Sequence, residues 1–282
     1  MITEFDRARP RLFGIAYRVL GSVADAEDVV QDTWLRFDRT DPASITNPGA
    51  FLATTATRLA INAATSARAR REVYVGPWLP EPVSTEDDPA LGAERAEALD
   101  LAVLVLMERL TPKERAAYVL REAFDYPFRQ IAEVLETSEP HARQLAKRAR
   151  DRVHDDRRRP VGTAEHRRLL QALLSAARSG DVAALENLLA DDAVSCSDGG
   201  GLVRAARAPV RGRSRVARFL AGVVQKFHGG TDTMLVEVNG RPAVLVSRDG
   251  RPVSLAAIDA TEAGIERVMM VVNPHKLAGL SR

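Results

Sequence analysis

Between His141 and Arg148 the chain sets out His141, Arg143, Gln144, Lys147 and Arg148, separated by apolar or small residues. An arginine guanidinium forks onto O6 and N7 of guanine, a glutamine amide onto N6 and N7 of adenine, and a lysine reaches guanine or a phosphate. Such groups read base edges only if one surface presents them together, and a helix does so. Leu145, Ala149 and Val153 recur at every fourth position and leave the five polar residues outside. Ser138 is placed to cap this helix, and Glu136-Thr137 makes a corner with the two-turn stretch Phe128–Leu135, whose Ile131, Val134 and Leu135 face inward. Upstream, Thr111-Pro112-Lys113-Glu114 forms a capping box with proline at the first helical position. A capped helical unit whose last helix is the basic one has the pattern of a helix-turn-helix, in which the second helix enters the major groove. The basic face taken alone fits a solvated surface with ion pairs to Asp151 equally well; the turn before it shifts the balance toward nucleic acid.

A second donor-rich block lies earlier. Asn47 followed by Pro48 starts a helix running to about Arg71, with Leu52, Ala56, Leu59 and Ala63 along one face. Thr55, Arg58, Asn62 and Thr65 line another face, which ends in Arg68, Arg70 and Arg71. Read in isolation this is a plain surface; paired with the basic helix it suits strand-separated bases and phosphate. Two further helices precede it. Leu12, Ile15, Ala16, Val19 and Leu20 fall at helical spacing before Gly21, and Ser22 opens a helix with Asp25, Glu27 and Asp28 at its positive end, running through Val29, Val30, Trp34 and Phe37.

The whole chain bounds these readings. Its 282 residues are 45% apolar and 28% charged, enough for two or three small domains. The net charge is only +2, with 24 Lys/Arg against 26 Asp/Glu up to Ala164, so a polyanion partner must be argued from local clusters. The single Cys196 excludes an internal disulfide, and no Cys/His spacing suits structural zinc, so no metal or cofactor is expected and a reducing, cytoplasmic setting fits. No run of about 18 apolar residues and no basic leader followed by an apolar stretch points to a membrane or to secretion.

From about Glu165 the pattern changes. HRRLLQALLSAARSG and DVAALENLLADDAV read as helices, VARFLAGVVQKF as another, and MLVEVNG, RPAVLVSRDG, PVSLAAIDA and IERVMMVV as strands with Asn-Gly and Asp-Gly hairpin signals. The sum is α+β, a curved antiparallel sheet covered by helices. Asp198, His228, Asp232, Asp259 and His275 are available for acid–base chemistry, but spacing brings no two of them together, and no catalytic role is assigned. Between the helical blocks, YVGPWLPEP is stiff and apolar where a loose tether would serve, and the acidic stretch after it leads into a helix near Leu91.

LFGIAYRVLGSVADAEDVVQDTWLRF and NPGAFLATTATRLAINAATSARARR resemble the first conserved domain of extracytoplasmic-function RNA polymerase sigma factors. LTPKERAAYVLREAFDYPFRQIAEVLETSEPHARQLAKRARDRV is similar to their second. The remainder resembles a SnoaL-like, NTF2-like domain, and WLPEP, DGGG and NPHKL match the signatures of the subgroup that carries it. The resemblance implies a multidomain protein. Residues 1–72 form an all-α region 2 bundle, 73–105 a linker, 106–158 an all-α region 4 helix-turn-helix, and 164–282 a cone-shaped α+β regulatory domain. It implies core RNA polymerase and promoter DNA as partners. Asp25, Glu27, Asp28, Gln31, Asp32 and Trp34 would face the β′ clamp helices, and region 4 the β flap. Arg58, Asn62, Arg68, Arg70 and Arg71 would take the −10 element, and His141, Arg143, Gln144, Lys147 and Arg148 the −35 element. Trp78, Leu79, Pro80, Glu81 and Pro82 would dock on Asp198, Gly199 and Gly200 and on Asn273, Pro274, Lys276 and Leu277, in a non-enzymatic domain with room for a small-molecule ligand. A different reading remains open from the residues: a stand-alone helix-turn-helix regulator whose last domain senses a small molecule.

Overall fold

The computed structural model describes residues 2–85, 99–155, 159–227 and 229–280; the expected helix near Leu91 and His228 lie outside them. The described residues fall into two compact units, 2–73 with 99–155 and 74–85 with 159–280.

The first unit is helical. Helices α1 (Ile2–Leu20), α2 (Val23–Arg39) and α3 (Pro48–Glu72) form a bundle whose core holds Leu12, Ile15, Val19, Val29, Phe37 and Leu52. The caps sit where the sequence puts them: the Ser22 hydroxyl accepts from the Asp25 amide, and Asn47 accepts from that of Ala50. The expected inner face of α3 needs correction. Ala53, Ala56, Ala60, Ala64 and Ala67 are buried, whereas Leu59 and Ala63 are only partly covered. α1 and α3 pack through small side chains, which leave little contrast between faces for periodicity to detect.

In the same unit, α4 (Leu101–Met107), α5 (Pro112–Tyr118), a π-helical turn (Val119–Ala123), α6 (Phe128–Leu135) and α7 (Glu139–Asp155) follow. Thr111 and Glu114 make the reciprocal capping box, and Glu136 takes the left-handed conformation, φ 52°, that turns the chain between α6 and α7. Ile131, Val134, Leu135, Ala142, Leu145, Ala149 and Val153 are buried.

The second unit sets α8 (Thr163–Ser179), α9 (Val182–Leu188) and α10 (Arg213–Phe227) against a six-stranded sheet. Its strands are β1 (Leu189–Asp198), β2 (Val210–Arg211), β3 (Asp232–Val238), β4 (Arg241–Arg248), β5 (Arg251–Thr261) and β6 (Gly264–Val271), in the order β2-β1-β6-β5-β4-β3. The chain ends in α11 (Pro274–Leu277) and a short 3-10 turn. Asn239-Gly240 and Asp249-Gly250 make the β3–β4 and β4–β5 hairpin turns with all four φ positive.

Two expectations fail here. DVAALENLLADDAV is helical only to Leu188, and Leu189–Asp198 is a strand; it pairs in parallel with β6, so the sheet is mixed rather than wholly antiparallel. Helix propensity at Leu-Leu-Ala-Asp-Asp is a weak prior, and burial of Ala193, Ser195 and Ser197 against β6 overrides it.

Candidate functional site

The five residues expected on the reading face of α7, His141, Arg143, Gln144, Lys147 and Arg148, are all exposed, and Ala142, Leu145, Ala146 and Ala149 between them are buried. Arg143 pairs with Glu139 at 2.9 Å and lies 4.8 Å from the Phe128 ring centre; Arg148 stands 3.6 Å from Glu114. Glu114 is anchored differently from a surface acid. Although burial opposes ionisation, hydrogen bonds from Thr111 and the charges of Arg152 and Arg148 hold its carboxyl below the usual carboxylate range. It therefore ties α5 to the basic helix.

Of the residues read for single-stranded contact, Asn62 is exposed on α3. Arg58 is engaged. Its Nε and Nη2 donate to the carbonyls of Val134 and Glu133 at 2.9 and 2.8 Å, and its Nη1 lies 3.1 Å from the Glu136 carboxylate. The guanidinium thus satisfies carbonyls at the negative end of α6, beside the corner of the helix-turn-helix. Arg71 is a joint too, bonded to Glu108 and to the Leu20 carbonyl, while Arg115 joins Glu108 at 2.6 Å to the Val19 carbonyl at 2.8 Å. Burial lowers the Arg71 pKa, against the raising effect of Glu108. Arg11 and Arg18 lie 5.5 and 5.2 Å from the Phe124 ring centre. The side chains of Arg68 and Arg70 lie outside the described residues.

On α2, Asp28, Gln31 and Asp32 are exposed, Asp25 is partly covered, and Glu27 pairs with Arg9 at 2.7 Å. Trp34 packs into its own bundle, 4.9 Å from Phe5 and 6.4 Å from Phe37 between ring centres.

The third site lies in the second unit. Asp198 is fully buried, and its carboxylate accepts from the Tyr74 hydroxyl at 2.6 Å, the Leu79 amide at 2.8 Å, the Gly200 amide at 3.1 Å and the Lys276 ammonium at 2.7 Å. A buried carboxylate is tolerable only when so supplied. Lys276 also donates to the Leu79 carbonyl and lies 4.1 Å from the Trp78 ring centre, and Asn273 donates to the Tyr74 oxygen at 3.0 Å. Burial first, and then the bond to Asp198, push the Tyr74 phenol well above its ordinary pKa. Leu79, Pro80 and Pro82 are buried, with Trp78 and Glu81 partly so. Gly200, at φ +60°, admits no side chain: a Cβ there would stand 2.3 Å from the Asn273 amide nitrogen. Pro274 is exposed at the start of α11 and Leu277 buried at its end. Further along, Ser84 bridges Val238 on the edge strand β3, with the Asn239 amide donating to the Val83 carbonyl at 2.9 Å and the Thr85 amide to that of Glu237 at 3.2 Å. Residues 74–85 are a strap built into this unit. Tyr74, Val83, Thr85 and Asn239 were missed in the sequence reading, although the tyrosine opens the same apolar stretch as Trp78.

The acid–base candidates lie in different settings. Asp198 is filled by the strap, Asp259 is buried, and Asp232 and His275 are exposed. Burial raises the Cys196 pKa, against the lowering effect of Arg267 and Arg211, and keeps it a thiol. Among the described residues no cluster suits a metal ion, and no helix is long and apolar enough to cross a membrane.

Residues 5–70 match the model of Sigma-70 region 2, and residues 100–153 that of Sigma-70, region 4. The chain is 38% identical to the ECF RNA polymerase sigma factor SigJ of Mycobacterium tuberculosis H37Rv, over 99% of this chain and 93% of that one. It is 30% identical to the probable ECF RNA polymerase sigma factor SigI of the same species, over 95% and 92%. The crystal structure of SigJ superposes with a TM-score of 0.78 at 36% identity, covering 99% of both chains. The chain belongs to the ECF RNA polymerase sigma factors, as an alternative sigma factor with an added α+β unit.

Proposed function

We propose that this sigma factor directs core RNA polymerase to promoters with −35 and −10 elements, and that its C-terminal unit controls the step in cis through the strap. His141, Arg143, Gln144, Lys147 and Arg148 would take the −35 duplex. Asn62 and Arg58, with Arg68 and Arg70, would take the −10 strand. The exposed acids and Gln31 of α2 would meet the β′ clamp helices, and region 4 the β flap. Trp34 would shape that surface from beneath. Arg71 supports region 2 from inside. No chemical step is assigned to the C-terminal unit, whose SnoaL-like ancestry would leave it a regulatory module with a cavity wide enough for a small molecule.

The observation that carries the regulatory reading is the path of the chain. It leaves α3, contributes residues 74–85 to the C-terminal unit and then returns to region 4. The distance available between the two readers is therefore set by whether that unit keeps the strap. Arg58 cannot fork onto the end of α6 and onto DNA at once, so engagement of a promoter requires that clasp to open.

The experiment is run-off transcription with core polymerase, comparing the full chain with Trp78→Ala and Lys276→Met. Altered output with unaltered polymerase binding is expected. Unchanged output from both variants would overturn regulation through the strap. Failure to co-purify with core polymerase would overturn the sigma reading itself and favour a stand-alone regulator.

A further inference from the structure

The C-terminal unit contains a cavity of about 670 Å³ between α10 and the sheet, separate from the carboxylate cluster that holds the strap. Its walls are apolar: Phe219, Val223, Val253, Met270 and Val272 line it. Its exposed rim carries Arg204, Arg218, Lys226 and Arg248, and among the described lining residues there is no Asp, Glu, His, Tyr or Cys. Val203 and Phe227 on the same rim are exposed apolar side chains, 39% and 41% accessible, as expected where a hydrophobic ligand is to be covered. At the buried end lies Ser197, 4% exposed, whose hydroxyl has no hydrogen-bond partner among the described residues. A buried hydroxyl left unpaired is costly, and a polar atom on a ligand would satisfy it.

We infer that this cavity binds an amphipathic organic anion, with its acidic head among the rim arginines and lysine, its apolar body along α10 and a polar atom reaching Ser197. The described lining offers no carboxylate, imidazole, phenol or thiol, and its one lysine sits at the exposed rim with the arginines, so the ligand inferred is one that is held and not transformed. A cation of the same shape would meet four like charges on the rim. The location bears on the proposed function, and the regulatory consequence rests on that reading. Ser197 precedes Asp198 and Val272 precedes Asn273. Val203 to Ala206 line both this cavity and a smaller one of about 410 Å³ bounded by Val75 and Gly76 of the strap.

The test uses the full chain without polymerase or DNA, and 12-hydroxydodecanoate as the probe, followed by titration calorimetry. Saturable one-to-one binding in the micromolar range is expected. Dodecyltrimethylammonium should bind at least about tenfold more weakly, and Arg218→Gln with Lys226→Gln should weaken the anion by about tenfold. Gly222 provides a control for folding. It lines the cavity within α10, and a Cβ at this position meets nothing within 4 Å, so Gly222→Leu starts its side chain in open space and improves helix propensity. This variant should keep or raise the melting temperature and abolish binding. Absence of binding to the native chain, equal binding of the cation, or undiminished binding by Gly222→Leu would each overturn the inference. Because transcription is not the readout, a negative result leaves the sigma reading standing, and the reverse also holds.

Discussion

The two clasps in this molecule are built to different specifications. Arg58 fastens α3 to the end of α6 with a side chain that remains 42% exposed, against carbonyls and a Glu136 side chain that is 73% exposed. Asp198 fastens the strap with a fully buried carboxylate that takes four donors, and the side chain of its Lys276 partner is only 11% exposed. A half-solvated fork gains little over water and opens at small cost. A buried charge is either fully satisfied or strongly destabilising, so such a cluster resists partial opening. The two helical blocks of the first unit are thus joined here by an exposed contact that opens cheaply, and the strap by a buried one that a modest perturbation leaves shut.

That contrast can be broken most severely at Asp198. Asp198→Ala removes the buried carboxylate shared by Lys276 and the Tyr74 hydroxyl and should cost about 3–5 kcal/mol. Urea denaturation would show it, together with rapid chymotryptic cleavage beside Trp78; a cost near zero would mean the cluster is not a buried charge site. Gly200→Ala comes next. The added methyl strains a positive φ and strikes Asn273, for a loss of about 2 kcal/mol in the same denaturation experiment. Arg58→Ala should cost about 1 kcal/mol and lengthen the distance between spin labels on α2 and α7. Raising salt to about 1 M should reproduce that lengthening in the native chain and leave the strap uncut, since screening acts on exposed pairs first.

The smallest effect concerns Glu114. Its folded pKa is depressed, so the stability it confers is present above its unfolded pKa and is lost as pH falls through the folded one. Acid titration of helicity should show a shallower loss for Glu114→Gln than for the native chain. An equal slope would assign the acid sensitivity to other carboxylates.

How much of this could be seen beforehand varied with the kind of signal. The basic face of α7 was legible because apolar residues recur there with a single period and the rest are polar. The inner face of α3 was not, because alanines occur on several sides of that helix and hydrophobicity barely distinguishes them. The strap's Trp78 and its prolines stood out by composition, but Tyr74 gave no sign that its hydroxyl would meet Asp198, 124 positions away. Strand β1 was lost to helix-like composition that only its neighbour β6 could overrule.

By itself the sequence determined what depends on near neighbours: the caps at Ser22, Asn47 and Thr111, the hairpin turns at Asn239-Gly240 and Asp249-Gly250, and the helical period of the basic face. Those features follow from steric limits and hydrogen bonds that reach only a few residues along the chain. Tertiary structure decided where the charges went. Arg58 could have faced solvent, yet it found Val134, 76 positions on, and Asn273 found Tyr74 across 199. Such partners are chosen by which buried groups would otherwise lack one, a requirement that arises only once the chain has folded around them.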